Sequence, residues 1–340
     1  MLRFPLPLAL AALVALSACD TLSPSEGTTV LQDVTAFPVE VDSLWGFMDA
    51  EGRLTAAPRF AFADEVYGDL SAVRDGDAWG FARADGSLAV PAIYQAAGRF
   101  TGGLAPVKTD AGWGYVGASG AEVVAPGYDA ALDMSDDRAA VRKGFLWGYV
   151  DATGAEAVEP QYAAAGTFVD GLAPVETADG WRYIDRSGAF AFGATFAEAR
   201  AFSDIGLAPV REPGSEAWKF IDRSGTIVLN TTYASAHPFT EGYARVQDGD
   251  RTGFIGREGE FLIGPEMSEA GPFSEGLAAV RFNRRWTYVS REDGLVIASP
   301  QFDAARPFRG GLAQVTVGSG DKAKTGYIDA TGAPVWEPSN

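Results

Sequence analysis

Trp147-Gly148-Tyr149-Val150-Asp151-Ala152-Thr153-Gly154 decides how this chain is read, because the phrase returns along nearly all of it. Trp45-Gly46-Phe47-x-Asp49-x-x-Gly52 repeats it near the start with the same spacing. Anchored on its first residue, the slot holds Trp45, Trp79, Trp113, Trp147, Trp181, Trp218, Thr252, Trp286 and Thr325. The step is 34 residues throughout except for 37 after Trp181 and 39 after Trp286. Seven of the eight Trp occupy this slot, and the eighth is Trp336. A fixed period of this length is the signature of a tandem array rather than of an ordinary domain.

Outward from the anchor, each element carries its own chemistry. An aromatic follows two residues later in all nine units, from Phe47 to Tyr327, so anchor and aromatic share one face of a strand. Asp151-Ala152-Thr153-Gly154 has Asp at the first turn position and Gly where φ must be positive, a hairpin loop repeated at Asp185 and Asp222. Before the anchor, Leu104-Ala105-Pro106-Val107 and Leu172-Ala173-Pro174-Val175 read as short strands ending in polar turns. After the loop, apolar runs such as Glu122-Val123-Val124-Ala125 form a third strand. A stretch from an aromatic (Tyr94, Tyr128, Tyr162, Phe302) to a Phe (Phe100, Phe168, Phe308) leads into the next unit. No sustained 3.6-residue apolar period interrupts this. The expected fold is all-β: nine antiparallel units of 34 residues or slightly more, over residues 37–340. Each unit brings its own first and third strand, with no sign of a blade split between the ends, so the expected arrangement is an open, solenoid-like stack. A closed β-propeller, with typically four to eight blades, is the alternative.

The Trp-Gly-aromatic-x-Asp-x-x-Gly phrase resembles the WG-repeat family of bacteria, and the resemblance spans residues 37 to 336. Arg182, Lys219 and Thr287 replace the Gly, and Thr252 and Thr325 the Trp, with the register kept around each. The resemblance implies tandem β repeats, often envelope-associated, and carries no catalytic residues.

The first residues read differently. Arg3 precedes an apolar stretch from Phe4 to Ala18, too short to span a bilayer comfortably and suited to a signal peptide. Leu16-Ser17-Ala18-Cys19 resembles a lipobox, which makes Cys19, the sole Cys, the expected lipidation site. The expected organisation is a signal peptide over 1–18, a lipidated tether over 19–36 and the array beyond. An exported protein is expected, lipid-anchored and facing the periplasm. Asp20 resembles the inner-membrane retention signal of enteric bacteria, which leaves the choice of membrane open.

Charge and composition narrow the function. The net charge of −18 becomes −19 when Arg3 leaves with residues 1–18, and so acidic a body repels nucleic acid. A single His, His237, allows no Ser-His-Asp or Cys-His nucleophile and too few soft ligands for zinc; a hydrogen-bonded structural role is expected for it. Acidic groups such as Asp133, Asp136 and Asp137 lack the spacing of calcium loops. The Asp of the hairpin slot repeats as scaffolding does, not as a catalytic pair. No enzyme, cofactor or metal is expected. The anchor Trp row is expected to be inter-unit core rather than a stacking platform.

One row points elsewhere. The residue after the strand Val is basic in five of eight units: Arg74, Lys108, Arg142, Arg211 and Arg281. With a four-residue turn, each faces the following Trp, so that its stem packs on the indole. The other reading is a basic stripe for an acidic partner or an anionic polymer. A second basic spot joins Arg281 to Arg284, Arg285 and Arg291 outside the consensus. These eight residues are the candidate binding set. The expected function is a tethered, non-enzymatic envelope scaffold binding a protein partner, with a carbohydrate or cell-wall binding module as the alternative.

Overall fold

The computed structural model describes residues 34–294, 301–320 and 323–337. The signal segment, Cys19 and most of the tether lie outside them. Nine antiparallel sheets follow one another in chain order, each of three or four strands. The third is representative: a short strand Ala96–Ala97, then Leu104–Thr109, Gly112–Gly117 and Glu122–Tyr128, hydrogen-bonded in that sequence. The first strand of the array, Val34–Val41, begins three residues before the expected boundary.

The Gly of Trp-Gly has a specific cause. Trp113 pairs with Tyr128 and Tyr115 with Val124, so the fourth strand has surplus residues that arch over Gly114. A Cβ on Gly114 would lie 2.4 Å from the Val124 carbonyl oxygen and 2.8 Å from the Pro126 nitrogen. Gly148 meets Val158 and Pro160 in the same way, at 2.4 and 2.6 Å. Where Arg182 replaces the Gly, the sheet has three strands, and the chain beyond pairs only through isolated bridges at Phe190 and Phe196. Lys219 replaces it too, yet Ile227–Tyr233 still pairs as a fourth strand.

The hairpin Asp is spent on its own turn. The Asp151 carboxylate accepts hydrogen bonds from the Thr153 hydroxyl at 2.6 Å and from the Thr153 and Ala155 amides at 2.9 and 3.0 Å. The hydroxyl first, then the amides, hold its carboxyl below the ordinary value. Gly154 sits at φ 86°, where a Cβ costs energy.

The core lies between sheets. Tyr149 is fully buried and packs with Phe168, Ala173 and Val175 of the next sheet, its ring 4.8 Å from that of Phe168. Its hydroxyl donates to the Gly166 carbonyl at 2.7 Å, across the same interface. Tyr115, Tyr183 and Tyr288 repeat the bond to Leu132, Arg200 and Arg306. Carboxylates add a second link: Glu241 accepts from the amides of Glu275 and Gly276, and Glu275 from those of Gly310 and Gly311.

These links do not stop at the ninth sheet. The Tyr327 hydroxyl donates to the Pro38 carbonyl at 2.9 Å, and its ring meets Phe37 at 5.6 Å. Phe37, Val39 and Met48 form one buried cluster with Leu312 and Tyr327. The array is therefore a closed nine-bladed β-propeller, and the expected open stack is corrected. Each repeat supplies the hairpin of its own blade, as expected, while the first sheet takes Val66–Tyr67 from the second repeat as its fourth strand. Closure needs no shared strand, because side chains of the last blade pack on the first as on any neighbour.

Candidate functional site

The expected pairing of the basic row with the anchor is present. Arg74 lies opposite Trp79, Lys108 opposite Trp113, Arg142 opposite Trp147, Arg211 opposite Trp218 and Arg281 opposite Trp286. The Arg142 guanidinium stands 5.7 Å from the Trp147 ring. Closure turns this row into a ring on one face of the propeller, beside the turns that join second to third strands.

The row divides by its neighbour on the short first strand. Glu198 pairs with Arg211 and Glu269 with Arg281, and each carboxylate forms an ion pair with its arginine. Arg211 holds Glu216 as well. In the third and fourth blades the same neighbour is Ala96 or Ala130, which offers no charge to Lys108 or Arg142. Phe62 takes that place beside Arg74. Arg74, Lys108 and Arg142 thus form an arc over three consecutive blades with no ion partner among the described residues.

The indoles are not the core they were expected to be. The aromatic two residues on is the buried one; of the seven indoles in the anchor slot only Trp218 is buried, and the other six are half-buried. Trp45, Trp79, Trp147, Trp181 and Trp286 pack against the margins of the buried clusters. Phe62, 37% exposed, bridges Trp45 and Trp79 with ring centroids 5.7 and 5.4 Å away. Sequence reasoning passed over Phe62. Its signal was a large aromatic where the next two repeats have Ala96 and Ala130.

The second basic spot does not hold together. Arg284 is in the turn, at φ 73°, and Arg285 beside it pairs with Asp303 at 2.6 Å. Arg291 lies beyond the other end of the strand Arg285–Ser290, about 20 Å away at a rise of ~3.3 Å per residue. Its amide donates to the Gly276 carbonyl and its guanidinium pairs with Glu241, on the opposite face. The four arginines are therefore not one patch.

His237 is hydrogen-bonded as expected. Arg200 and Arg245 approach its Nδ1 at 2.6 and 2.8 Å, and since guanidinium only donates, that nitrogen accepts. Arg200 also lies over the Trp218 ring at 4.6 Å, and that indole belongs to the buried cluster of Phe220, Tyr233 and Phe239. Among the described residues no group of His, Cys, Asp and Glu has a metal-holding arrangement, and no helix is long and apolar enough to cross a membrane.

A closed ring of repeated blades with half-buried Trp-Gly hairpins defines a WG-repeat propeller. The sequence agrees: the WG containing repeat matches at residues 45–77, 79–111, 113–144, 147–181, 181–212, 218–251, 253–286 and 286–319. The chain belongs to the WG-repeat family. No curated protein matches it. Among solved structures, a eukaryotic initiation factor is similar at a TM-score of 0.62 and 13% identity, over 90% of this chain and 96% of that one. The dihydro-heme d1 dehydrogenase NirN gives 0.44 and 13%, over 93% and 77%. AztD from Citrobacter koseri gives 0.40 and 13%, over 90% and 93%. At 13% identity the likeness to the initiation factor is one of fold alone.

Proposed function

We propose that this chain is a non-enzymatic, membrane-tethered scaffold of the bacterial envelope that binds an acidic protein surface through one face of its propeller. The observation that carries the reading is the arc of Arg74, Lys108 and Arg142, cations without ion partners on a chain of net charge −18. Exposed Arg74 and half-buried Lys108 and Arg142, flanked by half-buried Trp79, Trp113 and Trp147, match the composition of protein interfaces, where Trp and Arg are enriched. The lipobox-like Leu16-Ser17-Ala18-Cys19 supports the tether.

The test replaces Arg74, Lys108 and Arg142 together by Ala and compares in-cell cross-linking with an Arg211→Ala/Arg281→Ala control. Loss of a defined cross-linked protein in the triple variant alone is the expected result; identical patterns in both sink the assignment. Cys19→Ser should shift the protein from the membrane to the soluble fraction. A second reading, a cell-wall binding module, is favoured by the aromatic run Trp45, Phe62 and Trp79. Co-sedimentation with peptidoglycan that survives the triple replacement would select it.

A further inference from the structure

The turn that joins second to third strand in the fourth blade departs from its counterparts. Lys143 pairs with Leu146, which leaves Gly144 and Phe145 as the turn itself. In the equivalent turns the first, second, third, fifth, sixth and seventh blades carry Asp42, Asp77, Asp110, Asp179, Glu212 and Asp250. No other blade has an aromatic there. Phe145 is 94% exposed, and Leu146 beside it 43%. A part-exposed Leu is ordinary on any surface; a Phe held almost wholly in water is not.

The turn is also rigid. Gly144 takes φ 64°, which suits Gly at the first centre of a two-residue hairpin, and its amide donates to the Asp129 carboxylate at 2.6 Å. The ring of Phe145 therefore projects from a fixed backbone. Burying it against a partner immobilises little beyond its own side-chain torsions, which is how a preorganised aromatic gains affinity.

Cations stand on both sides of the ring. Val141 packs with Leu104 and Tyr115 of the third blade, and Ala140 and Trp147 pack with Phe168 and Val175 of the fifth. Side chains alternate along a strand, so Lys143 shares the side of Val141 and Arg142 that of Ala140. Lys108 lies opposite Trp113, which shares the side of Tyr115, and so faces the fourth blade from the third. Lys108 and Lys143 thus border the gap before the turn, and Arg142 the gap after it. None of these three has an ion partner among the described residues.

We infer that Phe145 is the central contact of the proposed interface, seated in an apolar pocket bordered by carboxylates on the partner protein. The inference rests on the scaffold reading and deepens it: the ring selects an apolar floor, and the cations around it select an acidic rim. A bilayer is the poorer fit. A flat surface that reached Phe145 would also meet Asp110 and Asp179 on the flanking turns, and anionic headgroups would be repelled by them. A protein surface can reach one blade alone.

In the test, the full chain carries the photoreactive analogue p-benzoylphenylalanine at position 145 and is irradiated in cells, and the joined residue is read by mass spectrometry. Attachment to one protein is expected, at an apolar surface residue flanked by Asp or Glu. That protein, purified, is then titrated with the full chain. Phe145→Ala should weaken binding about tenfold or more. Lys143→Glu should weaken it as well, and more at low salt than at high salt. Unfolding midpoints should stay where they are, since both side chains are exposed. Attachment to lipid, to cell-wall glycan, to a basic protein surface or to nothing overturns the inference. If Phe145→Ala binds normally while the Arg74, Lys108 and Arg142 triple variant does not, this inference falls and the scaffold reading stands. If neither variant weakens binding, both fall.

Discussion

Replacing Gly114 by Ala tests why this family writes Gly after Trp. The added methyl would sit 2.4 Å from the Val124 carbonyl oxygen and 2.8 Å from the Pro126 nitrogen, both backbone atoms of the arching strand. Carbon–oxygen contacts rest at about 3.3–3.6 Å, so the strand has to lift by about 1 Å. No rotamer change can relieve a clash with main chain. Lifting strains the pairs that flank the arch, Trp113 with Tyr128 and Tyr115 with Val124. Two weakened backbone hydrogen bonds cost about 1–3 kcal/mol, and overpacking adds about 1–3 kcal/mol. The sum is about 2–6 kcal/mol, against the ~1 kcal/mol expected to be gained when Ala replaces Gly in permissive backbone. Gly127→Ala is the control: the same arch, no atom within 4 Å of the new Cβ and no positive φ. Urea unfolding followed by far-ultraviolet circular dichroism measures both. Equal midpoints for Gly114→Ala and Gly127→Ala would refute the close-approach explanation.

Other consequences can be measured alongside. Phe37→Ala with Tyr327→Ala removes the seam packing and its hydrogen bond and should destabilise by about 4 kcal/mol or more, with small-angle scattering reporting an opened ring; an unchanged radius of gyration would mean that other contacts hold the closure. Acrylamide should quench most of the indole emission, leaving the share of Trp218 protected, and a Trp218→Phe variant should lose only the protected share. The turn carboxyls of Asp151, Asp185 and Asp222 are held low, first by the hydroxyls of Thr153, Ser187 and Ser224. A carboxyl lowered in the fold adds stability above its unfolded value, near pH 4, and loses it as pH falls through the folded value. Changing all three to Asn should therefore flatten the fall in stability below about pH 4, and an unaltered slope would assign acid sensitivity elsewhere.

Much of the blade was legible because its slots repeat. The pairing of Lys108 with Trp113 follows from counting across a turn, and the structure has that pair. The hairpin at Asp151 to Gly154 follows from residues with narrow conformational roles. Closure was not legible, since Tyr327 bonds to Pro38 with the same chemistry that Tyr149 uses toward Gly166. A contact between neighbours looks identical whether the neighbour is next in sequence or 289 residues away. The indoles misled for a related reason: repetition marks a slot as structural, and an interface has an edge as well as a middle. Trp147 holds the edge, half-buried, with the Arg142 guanidinium over its ring. Arg291 was grouped with Arg284 and Arg285 by sequence proximity, but a strand of six residues separates two faces of a propeller.

The division of labour among slots follows from the same geometry. A slot inside the interface, such as that of Tyr149, has no freedom to vary without a hole or a clash, so nine repeats fill it with an aromatic. The neighbour of the basic residue lies at the edge, so Ala130 and Glu198 are equally compatible with the fold, yet one leaves Arg142 open and the other neutralises Arg211. That single choice converts an identical backbone into an open or a closed charge. The anchor slot lies between these limits: a Trp packs at the edge of an interface, and Thr252 and Thr325 each border a cavity while the buried Phe254 and Tyr327 two residues on keep their packing. Specificity in this propeller can therefore change from blade to blade at almost no cost to stability. Replacing Glu198 by Ala tests this directly, since it should free Arg211 from that carboxylate and shift the unfolding midpoint little, the pair being partly exposed. A large loss of stability would place that slot with the core and restrict the sites available for binding to the turns.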